Sequence, residues 1–314
     1  MKLKQVIDKY VSYRKALGEI FRMPSIYLQS FANKMGSSTP VETISKDEVE
    51  QFLYGNSKVV TGAWFSRYSA LHGFYDYLLI RDYVKKSPLP TILPARPKGL
   101  SAYIYSNNEL KSIFHAALTY SKRRSNISPY MVQTILFITY ALGLRISETL
   151  SIKLGNIDMN NLVIALHGTK FYKSRLVTFN IQVKAVLSSF LKWRTDHNQP
   201  GFTDAELFLN DDNLPVHSAC IEGIFGKIRA KAGVKRDDGG RYQPRIHDLR
   251  HTFAVNRLIN CYKKGTDPQK YLPILSVYMG HAHYAQTSVY LTMTDALLQQ
   301  ANKRFESYLE NIKS

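Results

Sequence analysis

The sequence is poor in cysteine, in acidic side chains and in long apolar runs. Only Cys220 and Cys261 occur among 314 residues, and neither has a CxxC neighbour. That spacing argues against a disulfide framework or a zinc site and suits a reducing cytoplasm. Acidic residues number 24 against 42 basic ones. They form no apparent cluster of the kind that a metal-dependent nuclease requires, so a metal is not expected. The most apolar stretch, residues 131–144, is too short and too interrupted to span a bilayer and reads as a buried helix. The opening MKLKQVIDKYVSYRK carries charges throughout and lacks an apolar core, which predicts no secretory signal. Neither an internal repeat nor a low-complexity tract is present.

What is present is positive charge. The formal net charge is +18 and the pI about 9.7, which points to a polyanionic partner. The charge is not confined to a tail. Residues 1–99 carry 15 basic and 8 acidic side chains, and residues 100–314 carry 27 and 16. Both parts are therefore basic, as suits a protein that grips a duplex from two sides. A hydrophobic share of 45% is that of a globular chain.

Between the two parts lies a proline-rich basic stretch, with Pro88, Pro90, Pro94 and Pro97 among residues 87–99. It has no apolar period and reads as a semi-rigid linker. Before it the pattern is helical. Helices are predicted over 5–17 and 24–34, after the capping box Ser45-x-x-Glu48, and over 60–84, where Trp64, Tyr68, Leu71, Phe74, Tyr75 and Leu78 recur at helical spacing. After it the chain is mixed. Helices are expected over 107–123, 128–141, 144–154, 181–194, 218–232, 247–261, 267–279 and 295–313. A β-hairpin is expected from 162–166 and 176–179 around a basic turn.

The chemistry is carried by a series of basic groups and one tyrosine. Arg145 lies in GLRISE (143–148), where a planar guanidinium can bind two phosphate oxygens and Glu148, one turn on, can orient a basic neighbour. Lys170, Lys173 and Arg175 lie on or beside the hairpin turn. A lysine there can protonate a departing alkoxide, and spacing alone does not settle which lysine does so. Lys173 and Arg175 are expected on phosphates. His247 and Arg250 share a helical face at i and i+3, and His251 is expected to pack behind them. His281 follows a glycine, and Tyr290 comes nine residues later. A tyrosine hydroxyl attacks poorly at its ordinary pKa near 10 and needs cationic neighbours. Taken singly, each feature is ordinary.

Taken together and in order, the set resembles the tyrosine recombinase (phage integrase) family. GLRISE is similar to its first arginine box, HDLRHTFA (247–254) to its second, and MGHAHYAQTSVY (279–290) to its third. Met279 stands where leucine is usual, and the histidine-to-tyrosine spacing is kept. Aligning Arg175-Leu176-Val177 with the family's hairpin places its lysine on Lys170, although GTKFYKS replaces the usual glycine-rich turn. By motif the resemblance covers about residues 100–312; over 1–90 it rests on helical character and placement.

The resemblance implies an all-α core-binding domain (1–90), a linker (91–100) and a catalytic domain (101–314) that is mainly α with a small β-sheet, an α+β unit ending in the helix 295–313. It implies Arg145, Lys170, His247, Arg250, His281 and Tyr290 as catalytic residues of a site-specific recombinase. Such an enzyme cuts and rejoins strands through a 3′-phosphotyrosine, without metal or cofactor. Its partner would be double-stranded DNA with inverted-repeat core sites, bound by a homo-tetramer on two sites and by a monomer or dimer when free. The setting would be the cytoplasm of a bacterium, at the nucleoid, with no membrane involved. A type IB topoisomerase and a non-catalytic DNA-binding protein are the alternatives. The final helix argues against the first, and six chemically competent positions argue against the second.

Overall fold

The computed structural model describes residues 1–97, 102–120, 126–167, 174–238, 242–280 and 285–292. The chain divides into two compact units, Met1–Gly99 and Leu100–Ser314.

The first unit is built from α1 (Leu3–Ala16), α2 (Arg22–Met35), α3 (Lys46–Tyr54) and α4 (Gly62–Ile80). Helix α1 buries Leu3, Val6, Ile7, Tyr10 and Val11, the stripe that a 3.6-residue period places on one face. Helix α3 starts where the capping box predicts: the Glu48 N–H donates to Ser45 Oγ, and the Ser45 N–H donates to the Glu48 carboxylate. The aromatic stripe of α4 faces inward, with Trp64, Phe74 and Tyr75 buried and Tyr68 stacked on Trp64. The helix stops at Ile80, short of the expected 84, and Asp82 then takes a left-handed φ of 55°. The start of the proline-rich stretch lies along this unit. Leu89 joins the core, the Tyr68 hydroxyl donates to the Pro90 carbonyl, and the Arg96 guanidinium lies over the Phe65 ring. The described residues of this unit contain no strand beyond an isolated bridge, Lys2 to Pro40.

The second unit contains α5 (Asn107–Leu118), α6 (Pro129–Ala141), α7 (Ile146–Leu150), β1 (Ile157–Asp158), β2 (Val163–Leu166), β3 (Arg175–Thr178), α8 (Ile181–Asp196), α9 (Ser218–Lys231), α10 (His247–Lys263), α11 (Pro268–Met279) and α12 (Ala285–Ser288), with a 3₁₀ turn over Val289–Thr292. The strands form one antiparallel sheet in the order β1-β2-β3, with Ile164 opposite Val177 and Leu166 opposite Arg175. At two residues, β1 is too short for its period to show in sequence. Helix α6 is buried nearly all round and packs on α5, α8 and α10. A smaller cluster joins Phe253, Ala254, Val255 and Leu258 of α10 to Leu272, Leu275 and Met279 of α11, and Tyr290 belongs to it.

Two expectations for this unit are corrected. The helix expected over 144–154 is only the five residues of α7, because the chain then leaves the helix to pair with 203–207. Leu154 N–H donates to the Ala205 carbonyl, and Leu207 N–H donates to the Ile152 carbonyl. Helix α5 ends at Leu118 rather than near 123. The expected final helix, 295–313, lies outside the described residues. Among the described residues no helix is long and apolar enough to cross a membrane.

Candidate active site

The site forms where the turn between α6 and α7 meets the start of α10, the end of α11 and the edge of β3. Gly143 takes a φ of 60°, and a Cβ there would collide with the Phe253 ring of α10. Glycine therefore lets the turn lie directly against α10. The turn delivers Arg145 to the N-terminus of α7. There its Nη1 donates to Glu148 Oε1 at 2.6 Å, its backbone N–H to Glu148 Oε2 at 2.9 Å, and its Nη2 to the Gly280 carbonyl at 3.3 Å.

Glu148 is a hub. Arg175, at the start of β3, places Nη1 and Nη2 on the same carboxylate at 3.0 and 2.9 Å, and its Nε donates to the Tyr278 carbonyl at 2.8 Å. Arg250 approaches that carboxylate to 3.7 Å. It is 1% exposed, and its guanidinium is held by the carbonyls of Gly143, at 2.8 Å, and Met279. Burial works to raise the Glu148 pKa. The hydrogen bonds from Arg175 and the Arg145 backbone, with the charges of Arg175 and Arg250, outweigh it and hold the group down at about 2. Burial and the charge of Arg145 lower Arg250 to about 10, so it remains a cation at neutral pH. Three guanidiniums thus share one carboxylate, and the surplus positive charge sits in a largely dehydrated setting where an anion is strongly attracted.

His247 opens α10 with one face to solvent, and His251 lies a turn further on, half buried. Their rings meet edge to face, 4.8 Å between centroids at 89°. Crowding by neighbouring atoms, with the charges of Arg250 and Arg245, lowers His247 to about 4. Burial and the neighbouring His247 lower His251 to about 4 as well. Next to them Asp248 is buried and fixes Arg245 through the Arg245 N–H, Nε and Nη2. Tyr290 is 2% exposed, and its hydroxyl lies 3.0 Å from His251 Nδ1. Burial raises its pKa, while Arg250 and Arg145 pull it back down.

The structure thus gathers Arg145, His247, Arg250 and Tyr290 around one locus. Lys170, Lys173 and His281 lie outside the described residues. Arg175 is placed differently from the expected phosphate contact: its side chain is 9% exposed and its fork is occupied by Glu148. A signal for this existed in the sequence. Val177 is an inward strand position, and the two-residue period puts Arg175 on the same face. The contact of His251 with Tyr290 was not anticipated, and no spacing in the sequence announces it.

The depressed pKa of His251 sets a pH dependence. It is about 4 in the folded state against an ordinary 6.5. Its contribution to stability is thus fully present above about 6.5 and is lost as pH falls toward 4. Urea midpoints should fall across that window, and the fall should shrink in His251→Gln. An equal fall in the variant would contradict the assignment for His251.

A buried cluster of guanidiniums beside a tyrosine hydroxyl is suited to binding and attacking a phosphodiester. The phage integrase family pattern matches residues 105–296, and the chain belongs to that family. It is 30% identical over 311 residues to a putative integrase/recombinase, y4rB, of Sinorhizobium fredii, covering 98% of each chain. It is 29% identical over 229 residues to the tyrosine recombinase XerC of Bacillus pumilus, covering 71% of this chain and 67% of that one. In fold it is similar to the Tn1549 transposon integrase solved in complex with a circular intermediate DNA. The TM-score is 0.71 at 16% identity, over 97% of this chain and 99% of the other.

Proposed function

We propose that this site-specific tyrosine recombinase cuts and rejoins DNA by direct transesterification at Tyr290, leading to integration, excision, inversion or resolution. The observation that carries the reading is the position of the buried Tyr290 hydroxyl within the field of Arg145 and Arg250.

The phenolic oxygen attacks the scissile phosphorus, and the bond to the 5′-oxygen breaks. Lys170 supplies the proton that the leaving oxygen takes up. Arg145, Arg250, His247 and His281 hold the phosphate and stabilise the charge that develops on it. The phosphodiester energy is kept in the 3′-phosphotyrosine, so a 5′-hydroxyl of another strand reverses the step. Residues 1–90 and 101–314 each contact inverted-repeat core sites, with 91–100 as the linker. Lys173 reaches the backbone near the hairpin turn. Four protomers act on two sites, the free protein being a monomer or dimer, and the work is done in the cytoplasm at the nucleoid.

The test uses a supercoiled plasmid carrying the DNA that flanks the gene, with excess EDTA and an SDS quench. Protein-linked DNA should form, with the nucleotide adduct on the Tyr290 peptide by mass spectrometry. The same sample sized before quenching should give four protomers per pair of sites. Cleavage that needs added magnesium, or an adduct on another tyrosine, would overturn the mechanism, and another stoichiometry would overturn the assembly.

A further inference from the structure

The proposed reaction leaves one proton without a destination. The Tyr290 hydroxyl must lose its hydrogen as the bond to phosphorus forms. Among the described residues His251 stands against that hydroxyl, with Nδ1 3.0 Å from the phenolic oxygen.

The surroundings fix both partners. The Tyr290 ring is held by the apolar cluster of Phe253, Leu258, Leu272 and Met279, so its hydroxyl has little freedom to turn away. His251 is held on α10 one turn after His247, whose ring meets it edge to face. The ring centroids of His251 and Tyr290 lie 5.6 Å apart at 56°, so the imidazole edge, not its face, meets the hydroxyl. Burial keeps the phenol protonated and the imidazole neutral. With the ring hydrogen on Nε2, the tautomer that leaves Nδ1 free to accept, the contact is a phenolic O–H donating to Nδ1. A hydroxyl whose hydrogen is directed at His251 has its lone pairs directed elsewhere.

We infer that His251 orients the Tyr290 hydroxyl for attack and receives its proton as the phosphotyrosine bond forms. The assignment rests on Tyr290 being the nucleophile. The step balances: Tyr290 Oη bonds to phosphorus, its proton passes to His251 Nδ1, the bond to the 5′-oxygen breaks, and that oxygen takes its proton from Lys170. On rejoining, His251 returns the proton to Tyr290. Arrival of the DNA phosphate places a negative charge near the imidazole and favours its protonated form, so the acceptor strengthens when the substrate is bound.

Three variants test this on the same plasmid, in single turnover with EDTA. His251→Phe keeps a ring in place and removes the acceptor. Its DNA affinity should match the wild type, while covalent linkage should slow about 10²–10⁴-fold, the range for loss of a positioned acid or base. His251→Asn keeps a hydrogen-bonding group near the Nδ1 position and should lie between the two. His251→Ala opens space for free imidazole, which should restore its rate by at least about tenfold, in proportion to the neutral imidazole added. Linkage by His251→Phe within about threefold of wild type would overturn the assignment. If His251→Phe does not fold, His251→Ala decides, and a rate that imidazole leaves unchanged overturns it. The tyrosine that carries the DNA in the wild type, found by mass spectrometry, separates the two readings. If wild type links DNA through Tyr290 and His251→Phe does so equally, only the role of His251 falls. If wild type links no DNA to Tyr290, the mechanism itself falls, and the role of His251 with it.

Discussion

Tyr290→Phe should bind plasmid DNA as the wild type does and leave no protein attached to it after an SDS quench. The substitution removes one oxygen from a ring that is already packed against α10 and α11, so the pocket stays filled. Among the described residues the hydrogen bond lost is the one to His251, worth about 1 kcal/mol, offset in part because a phenyl ring is easily buried. The chemical cost is total, since the bond to phosphorus needs that oxygen. A persistent covalent complex would move the role to Tyr284 or Tyr278. Tyr278 is the poorer candidate. It stacks on Phe253, its hydroxyl donates to the Thr178 carbonyl at 3.4 Å, and burial raises its pKa to about 12.

Glu148→Ala should be the most damaging single change to the scaffold. The carboxylate accepts from Arg145 and Arg175 and faces Arg250. Without it, Arg175 and Arg250 remain buried with no carboxylate in the cluster. Removing one partner of a buried ionic network costs about 3–5 kcal/mol. Urea unfolding should therefore show a midpoint well below wild type, and cleavage should fall with it. Glu148→Gln keeps the shape and loses the charge, so it should be damaged less. The sign in pH is fixed. Glu148 has a folded-state pKa of about 2 against 4.5 for the free side chain. Its contribution is present above about 4.5 and fades as pH falls toward 2. Unchanged midpoints in Glu148→Ala would show that water or another group balances the arginines.

Much of this site can be read from the sequence because its parts lie on regular elements. The i, i+3 spacing of His247 and Arg250 places both on one face of α10, and the Ser45 and Glu48 pair marks a helix start that the structure reproduces. The paired strands β2 and β3 announce themselves by β-branched runs. The parts that do not show depend on contacts between distant segments. The pairing of 152–155 with 203–207 cuts short a helix that local propensity favours. The capture of Arg175 by Glu148 joins residues 27 positions apart, and the contact of His251 with Tyr290 joins residues 39 positions apart. A one-dimensional pattern cannot rank such encounters, since any of several arginines could have reached that carboxylate.

Gly143 ties the two arginine boxes together. Its carbonyl is gripped by Arg250, its bare α-carbon rests on Phe253 one turn along the same helix, and two residues later the chain presents Arg145. The gap between the two guanidiniums is therefore gauged across a single tight turn rather than across the width of the unit. Because α10 holds this turn by both a hydrogen bond and a ring contact, a shift of α10 would be passed to Arg145 as well as to Arg250. The jaws of the clamp keep their opening while the body around them shifts, as a vice does when its bench is moved.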